Sequence, residues 1–144
     1  MWVMSGFADE ISPDLETQCT VLAQLGIRFL ELRSAWDVNV LDLSDEQVAQ
    51  VERVLAEHGI AVSSIGSPIG KINITDDFEA HLVRMDRAIW VARRLGAPFI
   101  RVFSFFLTPE QRPEDVRDEV IRRMTVLAER AAAGGAGGHA ARGG

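Results

Sequence analysis

The sequence predicts an α/β protein whose strands lie parallel in one sheet. One phrase occurs three times along the chain: an apolar helix end, a glycine, and an apolar run too short for a helix. Its glycines are Gly26, Gly59 and Gly96, so the repeats are 33 and 37 residues apart. A repeat of this length with one helix and one strand is typical of successive βα units. Glycine suits each helix end because it tolerates a positive φ.

Before the first of these glycines the chain supplies one strand and one helix. Residues 2–8 form an apolar run, which we interpret as the first strand. Ser12 and Pro13 then read as a helix start, because serine is a frequent cap and proline fits the first turn. The inner face of this helix is predicted from spacings of three and four residues. Its members are Leu15, Cys19, Leu22 and Leu25. The strand after Gly26 is predicted at residues 29–33.

The next two repeats have the same order. Ser44 and Gln47 form a capping box that starts a helix ending at Gly59, and a strand is predicted at residues 60–65. The third helix shows the clearest helical spacing and precedes a strand at residues 99–103. The apolar residues of that helix are Phe78, Leu82, Met85, Ile89 and Ala92.

A fourth helix follows two successive start signals, at Thr108 and at Arg112. Its apolar face is Val116, Val120, Met124, Leu127 and Ala131. Four strands alternating with four helices imply a parallel sheet with crossover connections. Such a chain is either an open doubly wound sheet, complete as it stands, or half of a (β/α)₈ barrel, which normally needs about 250 residues.

The end of the chain breaks the repeat. A fifth strand is expected after Gly134, but residues 134–144 contain only glycine, alanine, histidine and arginine. Such a segment cannot recover its ordering entropy by burial. We therefore predict one domain at residues 1–133 and a disordered low-complexity tail at residues 134–144. The tail is either natural and flexible or the product of a reading frame lost near Ala133, and the regularity of the repeat up to that point favours the second interpretation.

Composition limits the class of protein. The chain is 47% hydrophobic and 25% charged, which is ordinary for a soluble globular domain. A formal charge of -6 argues against a face that binds nucleic acid. No apolar run is long enough to span a membrane, and a single cysteine, Cys19, suits a reducing compartment. We expect a cytoplasmic protein without nucleic-acid or membrane partners.

Aligning the repeats on their glycines indicates where a site would lie. Glu31, Ser64 and Arg101 fall five residues after each glycine. Strand side chains alternate, so these polar residues face away from the helices, while their apolar neighbours pack on them. Those neighbours are Leu32, Ile65 and Val102. Opposite charges on nearby strands form either an internal ion pair or a clamp for a substrate hydroxyl or phosphate.

Three further residues lie in the segments that follow strands, where parallel α/β folds carry their active sites. Ser67 is either a loop start or a hydroxyl offered to a polyol. Lys71, in a loop flanked by glycine, is either solvated or placed to meet an anion. Trp36 either stacks on a sugar face or covers the end of the sheet. We keep all three as candidate substrate-binding residues beside Glu31 and Arg101.

Four segments of the chain resemble the sugar phosphate isomerase/epimerase family, a group of xylose isomerase-like barrels. They are Gly6-Phe-Ala-Asp-Glu-Ile11, Phe29-Leu-Glu-Leu-Arg33, Ser63-Ser-Ile-Gly-Ser-Pro-Ile-Gly-Lys71 and Arg101-Val-Phe-Ser104. The resemblance spans residues 4–133 and implies a (β/α)₈ barrel of which this chain is the N-terminal half. It implies a small sugar or polyol substrate and carries Glu31, Arg101, Ser67, Lys71 and Trp36 over as its binding residues.

The same resemblance implies a divalent metal, Mn, Mg, Zn or Co, which assists proton transfer between neighbouring carbons. In the family its ligands come from the second half of the barrel, so we assign no metal ligand and no catalytic residue, and expect no metal to bind this chain alone. The related abasic-site endonucleases use histidines where this chain has serine and phenylalanine. The main hypothesis is therefore a sugar isomerase or epimerase represented by an inactive half. The alternative is a non-catalytic half-barrel that self-associates through its open edges or pairs with another half.

Overall fold

The computed structural model describes residues 2–134 and, for the backbone alone, residues 140–142. In chain order the elements are β1 (Ser5–Gly6), α1 (Leu15–Gln24), β2 (Phe29–Leu32), β3 (Ser34–Ala35), β4 (Val38–Asn39), α2 (Asp45–His58), β5 (Ala61–Ile65), α3 (Phe78–Leu95), β6 (Phe99–Val102), α4 (Pro113–Ala133) and β7 (Ala140–Arg142). One sheet has the order β1-β2-β5-β6-β7, and every pair of neighbours in it is parallel. The short strands β3 and β4 form a separate antiparallel hairpin. The predicted α/β fold with a parallel sheet is confirmed.

One face of the sheet packs on the helices and forms the core. Leu32 and Ile65 are 0% exposed and Val102 is 2% exposed, as the alternation of side chains predicts. The predicted inner face of α3 is buried along its whole length, from Phe78 to Ala92. In α4 only Leu127 of the predicted face is fully buried, and the others are partly buried against the core. The opposite face of the sheet carries the polar strand residues Glu31, Ser64 and Arg101.

The ends of the helices follow the predicted signals in α2 and α3. Ser44 and Gln47 form the capping box of α2, and each caps the backbone N–H of the other. Gly59 and Gly96 end α2 and α3 with φ of 65° and 69°, so the glycine of the repeat is a left-handed helix stop, as expected. The fourth helix uses the second of its two start signals, with Pro113 as its first residue.

The predicted start of α1 is wrong by two residues. Asp14 is the cap, because its carboxylate accepts a hydrogen bond from the Thr17 N–H at 3.1 Å. Ser12 instead accepts from the Asp14 N–H, in the turn before the helix. At the other end of α1, Leu25 was predicted on the inner face, but it is 66% exposed and follows the last residue of the helix. A carboxylate two residues after the serine offers the same N–H acceptor in a better position, and local sequence does not rank the two.

The first strand is shorter than predicted. Only Ser5 and Gly6 pair with β2, and the three residues before them are exposed. These are Trp2, Val3 and Met4. β2 begins at Phe29, which pairs with Ser5, so the residues before Ser5 have no partner strand beside them. The apolar run at residues 2–8 therefore predicted the position of the first strand correctly and overestimated its length.

A ladder of ion pairs fixes α2 against α3. Arg87 donates to Asp45 at 2.8 Å, and Arg94 donates to Glu52 at 3.0 Å. Arg84 pairs in the same way with Asp42, just before α2. Each arginine stands 42 residues after its carboxylate, since the two helices run side by side in the same direction. The ladder is exposed, so it adds little stability but sets the register of the two helices.

The predicted tail at residues 134–144 is only partly described. Residues 135–139 and 143–144 lie outside the described part of the chain, so the structure does not test their disorder. Ala140–Arg142 pair in parallel with β6, at the place of the fifth strand that the repeat calls for. Strand pairing uses backbone groups that alanine and arginine also have, whereas the prediction required apolar side chains.

Within the described residues, no helix has the length and apolarity to cross a membrane.

Candidate substrate-binding site

Loops at the carboxyl ends of the strands hold the non-glycine residues with positive φ in the described part of the chain. Trp36 and Asp37, at the tip of the β3–β4 hairpin, have φ of 54° and 61°. Phe105, three residues after β6, has φ of 72°. Left-handed backbone is costly for residues other than glycine and clusters at functional sites. All three follow strands at one end of the sheet, so this end is the candidate site.

Glu31 and Arg101 form the centre of the site, on the polar face of β2 and β6. Glu31 Oε1 lies 3.7 Å from Arg101 Nη1, and both side chains are mostly buried. Ser64, on the strand between them, donates its hydroxyl to the same Oε1 at 3.3 Å. The structure thus brings together the two charges that the repeat alignment predicts, at a distance longer than a direct hydrogen bond.

Two phenyl rings flank the Arg101 guanidinium. Its carbon lies 4.8 Å from the centroid of Phe7 and 5.0 Å from that of Phe103. Arg101 Nε is buried and has no hydrogen-bond partner in the described part of the chain. An arginine held against two rings, with an unpaired Nε–H, is preorganised to bind an acceptor in the plane of the guanidinium.

A second charged cluster, which the sequence interpretation did not assign, borders the first. Arg33 donates to both oxygens of Asp9, at 2.7 and 2.8 Å, and Ser34 donates to Asp9 at 2.8 Å. The hydrogen bond from Arg33 holds the pKa of the Asp9 carboxyl below its ordinary value of 3.8, although burial acts in the opposite direction. Arg33 also stacks on Phe7, at 4.6 Å from the centroid. Asp9 therefore ties the loop after β1 to the end of β2.

Ser67 lies behind the site. It is fully buried, its hydroxyl donates to the backbone carbonyl of Arg101, and it accepts from the Ile69 N–H at 3.3 Å. These contacts tie the loop after β5 to β6. The structure therefore gives Ser67 a role in placing Arg101, and its hydroxyl is already occupied by backbone groups.

The loop that carries Lys71 is fixed by its backbone. Gly70, with φ of 83°, accepts a hydrogen bond from the Phe105 N–H at 2.9 Å and donates its own N–H to His81 Nε2 at 2.7 Å. His81 is not among the apolar residues predicted for the inner face of α3, yet it is buried at 9% exposure. Burial, with the charges of nearby arginines second, lowers the pKa of His81 and keeps it the neutral acceptor that Gly70 needs.

Lys71 itself is exposed, and its ammonium lies 5.3 Å from the centroid of Phe103, the ring that Arg101 also contacts. Trp36 lies partly buried in the hairpin that follows β2, at the same end of the sheet. Arg101 thus contacts both phenylalanines, Lys71 contacts one of them, and Glu31 pairs with Arg101. Ser67 supports the backbone of Arg101, and Trp36 lies in the hairpin after β2. The two phenylalanines were missed because apolar residues at strand ends suggest core in a sequence.

The donor set offers no metal centre in this part of the chain. No three side chains of His, Cys, Asp or Glu converge among the described residues. The two carboxylates of the site, Glu31 and Asp9, are paired with Arg101 and Arg33. Cys19 is buried in α1, and burial raises the pKa of its thiol to about 11. These residues do not fit the divalent metal that the resemblance implies, and we derive no chemical step through one.

Residues 19–136 match the protein family described as a xylose isomerase-like TIM barrel. No curated protein matches the chain significantly. Solved structures do match it. One is a xylose isomerase-like TIM barrel protein from Mycobacterium smegmatis in complex with magnesium, with 23% identity and a TM-score of 0.70. A 3-keto-D-glucoside 4-epimerase from E. coli has 18% identity and a TM-score of 0.62. A D-psicose 3-epimerase from Clostridium cellulolyticum H10, with D-tagatose, has 14% identity and a TM-score of 0.67.

The alignments cover most of this chain and about half of each solved structure. They span 94% of this chain and 53% of the mycobacterial protein, 85% and 48% for the E. coli epimerase, and 91% and 49% for the clostridial one. The chain therefore corresponds to a part of a barrel. At these identities the structural likeness shows the fold alone.

Proposed function

Because the chain belongs to the xylose isomerase-like TIM barrel family, we propose that it supplies the substrate-binding side of an enzyme that isomerises or epimerises a small sugar or polyol. One observation carries this proposal. On the polar face of the sheet, Glu31 and Arg101 meet from β2 and β6, the strands on either side of β5, toward the carboxyl ends at which barrel enzymes bind their substrates. Two of the structural neighbours are epimerases of keto sugars, which supports the same substrate class.

Each candidate residue has a role in this proposal. The Glu31 carboxylate accepts from substrate hydroxyls, and Arg101 donates to substrate oxygens. Lys71 approaches from the loop after β5, and Trp36 offers an apolar ring on which a sugar face stacks. Ser67 contributes by holding the backbone of Arg101 in place. The reaction belongs to carbohydrate metabolism in the cytoplasm.

The chemistry of such an enzyme is metal-assisted proton transfer between adjacent carbons, and one structural neighbour was solved with magnesium. The described residues of this chain present no group of three metal ligands. We therefore propose that these 144 residues on their own bind no catalytic metal, whether Mn, Mg, Zn or Co, and convert no sugar. Their contribution is recognition.

Titration of the ¹⁵N-labelled chain with D-tagatose tests the recognition role. We expect saturable shifts at Glu31 and Arg101 that weaken in Glu31→Gln. Glu129→Gln removes the same charge from an exposed position on α4 and should leave the titration unchanged. Shifts that are absent, or equal in both variants, would contradict the proposal.

Calorimetry with Mn²⁺, followed by an isomerase assay on the same sample, tests the second part. We expect neither stoichiometric tight binding nor turnover. Tight binding of one metal per chain together with isomerase activity would overturn the view that the chain contributes recognition only.

A further inference from the structure

We propose that Arg101 and Lys71 form a binding site for a small oxyanion, the carboxylate or phosphate group of the substrate. The identity of that group as part of a substrate rests on the proposed function. The binding of an oxyanion does not, because it follows from the local geometry. Three features carry the proposal: the unpaired Nε of Arg101, its contacts with two phenyl rings, and the charge around it.

The side chain of Arg101 makes no hydrogen bond within the described part of the chain. Its Nε is buried without a partner, and the nearest carboxylate oxygen, on Glu31, is 3.7 Å from Nη1. Buried donors are nearly always paired, and leaving one unpaired costs stability. A guanidinium has five N–H groups in a fixed plane. The missing partner is therefore an acceptor with several lone pairs.

The two rings restrict the approach of a ligand. The guanidinium carbon of Arg101 lies over the Phe7 ring, 4.8 Å from its centroid, and over the Phe103 ring, 5.0 Å from its centroid. The N–H groups lie along the edge of the planar guanidinium, and a ligand reaches them there. Carboxylate and phosphate oxygens match that edge with two parallel hydrogen bonds. A single sugar hydroxyl offers one acceptor atom and matches it less well.

Arg33 has the same arrangement as Arg101, but the N–H groups at the edge of its guanidinium already bind a carboxylate. It stacks on the same Phe7 ring, at 4.6 Å, and its Nε and Nη2 each donate to one oxygen of Asp9. Two arginines thus share one ring, and one of them already holds a carboxylate. Arg101 has the same support, and within the described residues its edge holds no acceptor.

The charge around the edge favours an anion. Lys71 is the only lysine in the sequence, and its ammonium lies against Phe103, the ring shared with Arg101. Asp9 is neutralised by Arg33, so Glu31 alone opposes the two cations. The backbone of Gly70, the residue before Lys71, is fixed by its hydrogen bonds with His81 and Phe105. An oxyanion beside Phe103 is therefore attracted by both cations.

The Nε–H resonances of the arginines test the proposal in the intact chain. Inorganic phosphate and acetate are titrated in separate arms, and Arg101→Lys identifies the Arg101 signal. We expect a saturable downfield shift of Arg101 Nε–H and little change at Arg33, whose donors are occupied. The arm with the lower dissociation constant tells whether the site prefers a phosphate or a carboxylate. No shift at millimolar concentrations of either anion would overturn the proposal.

Variants separate the site from general attraction to a surface. Lys71→Met should weaken phosphate binding by about tenfold, the usual effect of one charged hydrogen bond. Arg117→Gln removes the same charge from an exposed position on α4 and should have no effect. Equal weakening in both variants would overturn the proposal. So would a shift of Arg101 that grows with protein concentration in the absence of anion, because the acceptor would then belong to another chain.

A second readout depends on the uniqueness of Lys71. Reductive ¹³C-dimethylation marks only the terminal amine and Lys71, so this side chain is followed by one signal. Bound phosphate should shift that signal to saturation, since the anion lies beside the labelled amine. If phosphate binds and D-tagatose does not, the oxyanion site is supported and the proposed recognition of this sugar is contradicted. If D-tagatose binds and neither anion does, the proposed function stands and this inference fails.

Discussion

Asp9 is the residue whose ionisation most directly holds two strand ends together. Its carboxylate receives three hydrogen bonds, two from Arg33 and one from Ser34, and its side chain is 12% exposed. Asp9→Asn keeps the shape and removes the charge, so Arg33 loses its nearest charged partner. We expect a loss of about 1–3 kcal/mol in the free energy of unfolding, measured by urea denaturation at neutral pH.

Glu10→Gln is the matched control, because it removes the same charge one residue later. Glu10 lies 3.5 Å from the same arginine, but its side chain is 81% exposed, so the change should stay within about 0.5 kcal/mol. The pKa of Asp9 is lowered in the folded state, so its contribution is complete above pH 3.8 and disappears as the pH falls below that value. The gap between wild type and Asp9→Asn should therefore narrow in acid. Equal losses in both variants would contradict this account.

His81 gives the protein a second pH dependence. Burial lowers its pKa from 6.5, so the unfolded chain takes up a proton at a pH where the folded chain does not. Its contribution to stability is therefore full above pH 6.5 and declines as the pH falls through the folded-state value. His81→Leu should cost about 1–3 kcal/mol at pH 8, since the Gly70 N–H then has no acceptor.

His81→Gln distinguishes the hydrogen bond from the titration. Its amide oxygen can accept from Gly70 but does not ionise, so it should recover part of the stability at pH 8 and flatten the curve below pH 6.5. The measurement is the free energy of unfolding against pH for the three proteins. A glutamine variant with the wild-type pH dependence would assign the titration to another group.

At the residue scale, the sequence predicts what strand alternation determines. Glu31 and Arg101 were placed together because they occupy equal positions in successive repeats, and the structure pairs them at 3.7 Å. Asp9, Phe7 and His81 were not assigned, since each meets its partner across a loop whose path the local sequence does not fix. A residue after a short strand can meet several neighbours, and only the folded chain selects one.

At the scale of elements, Gly70 decides the path of the loop after β5. Its φ is 83°, and a Cβ built there would lie 1.6 Å from the carbonyl oxygen of Phe103. Gly70→Ala must therefore move the loop away from β6, and we expect a loss of at least about 3 kcal/mol. Gly26→Ala is the control, because its φ of 74° is similar and no atom lies within 4 Å of the added Cβ.

Gly26→Ala should lower the free energy of unfolding by only about 1 kcal/mol, the cost of placing alanine in a left-handed conformation. Urea denaturation of both variants gives the comparison, and the Arg101 Nε–H signal reports whether the site has moved. We expect that signal to shift in Gly70→Ala and to remain in Gly26→Ala. Similar losses for both glycines would mean that the left-handed backbone conformation, and not the close approach of Phe103, explains why alanine is unfavourable at Gly70.

Elements with local signals were predicted well, and elements without them were missed. The capping box and glycine stop located α2 to within a residue. The β3–β4 hairpin was missed because its two tip residues, Trp36 and Asp37, have the positive φ of a type I′ turn without the glycine that usually marks one. The tertiary contact that supports the tip, from the Trp36 N–H to the Pro13 carbonyl, joins residues far apart in sequence.

At the scale of the whole molecule, the repeat alone predicted parallel βα units but left two architectures open. The family resemblance selected the barrel, and the match to solved structures over about half their length agrees with it. The periodicity was insufficient because the first units of an open sheet and of a barrel share the same local pattern. The difference lies in what pairs with the outermost strands, and no local residue encodes that.

The exposed side of the sheet leads to a prediction about association. β1 ends the sheet of described strands, and the apolar residues that lead into it are exposed, with Val3 at 73% and Trp2 at 96%. Phe99, on the polar face of β6, is 41% exposed. Open strand edges and apolar patches promote pairing between chains. We expect sedimentation velocity to show an average mass that rises with protein concentration.

Variants of two exposed valines distinguish association through the edge of β1 from association through apolar surface in general. Val3→Lys places a charge beside the open edge of β1 and should shift the association to higher protein concentration. Val83→Lys makes the same change at 68% exposure, on the outer face of α3, and should leave it unchanged. If both variants reduce association equally, the contact is not through the β1 edge. If the wild-type chain sediments as a monomer at every concentration and melts cooperatively, the sheet face is stable in water without a partner.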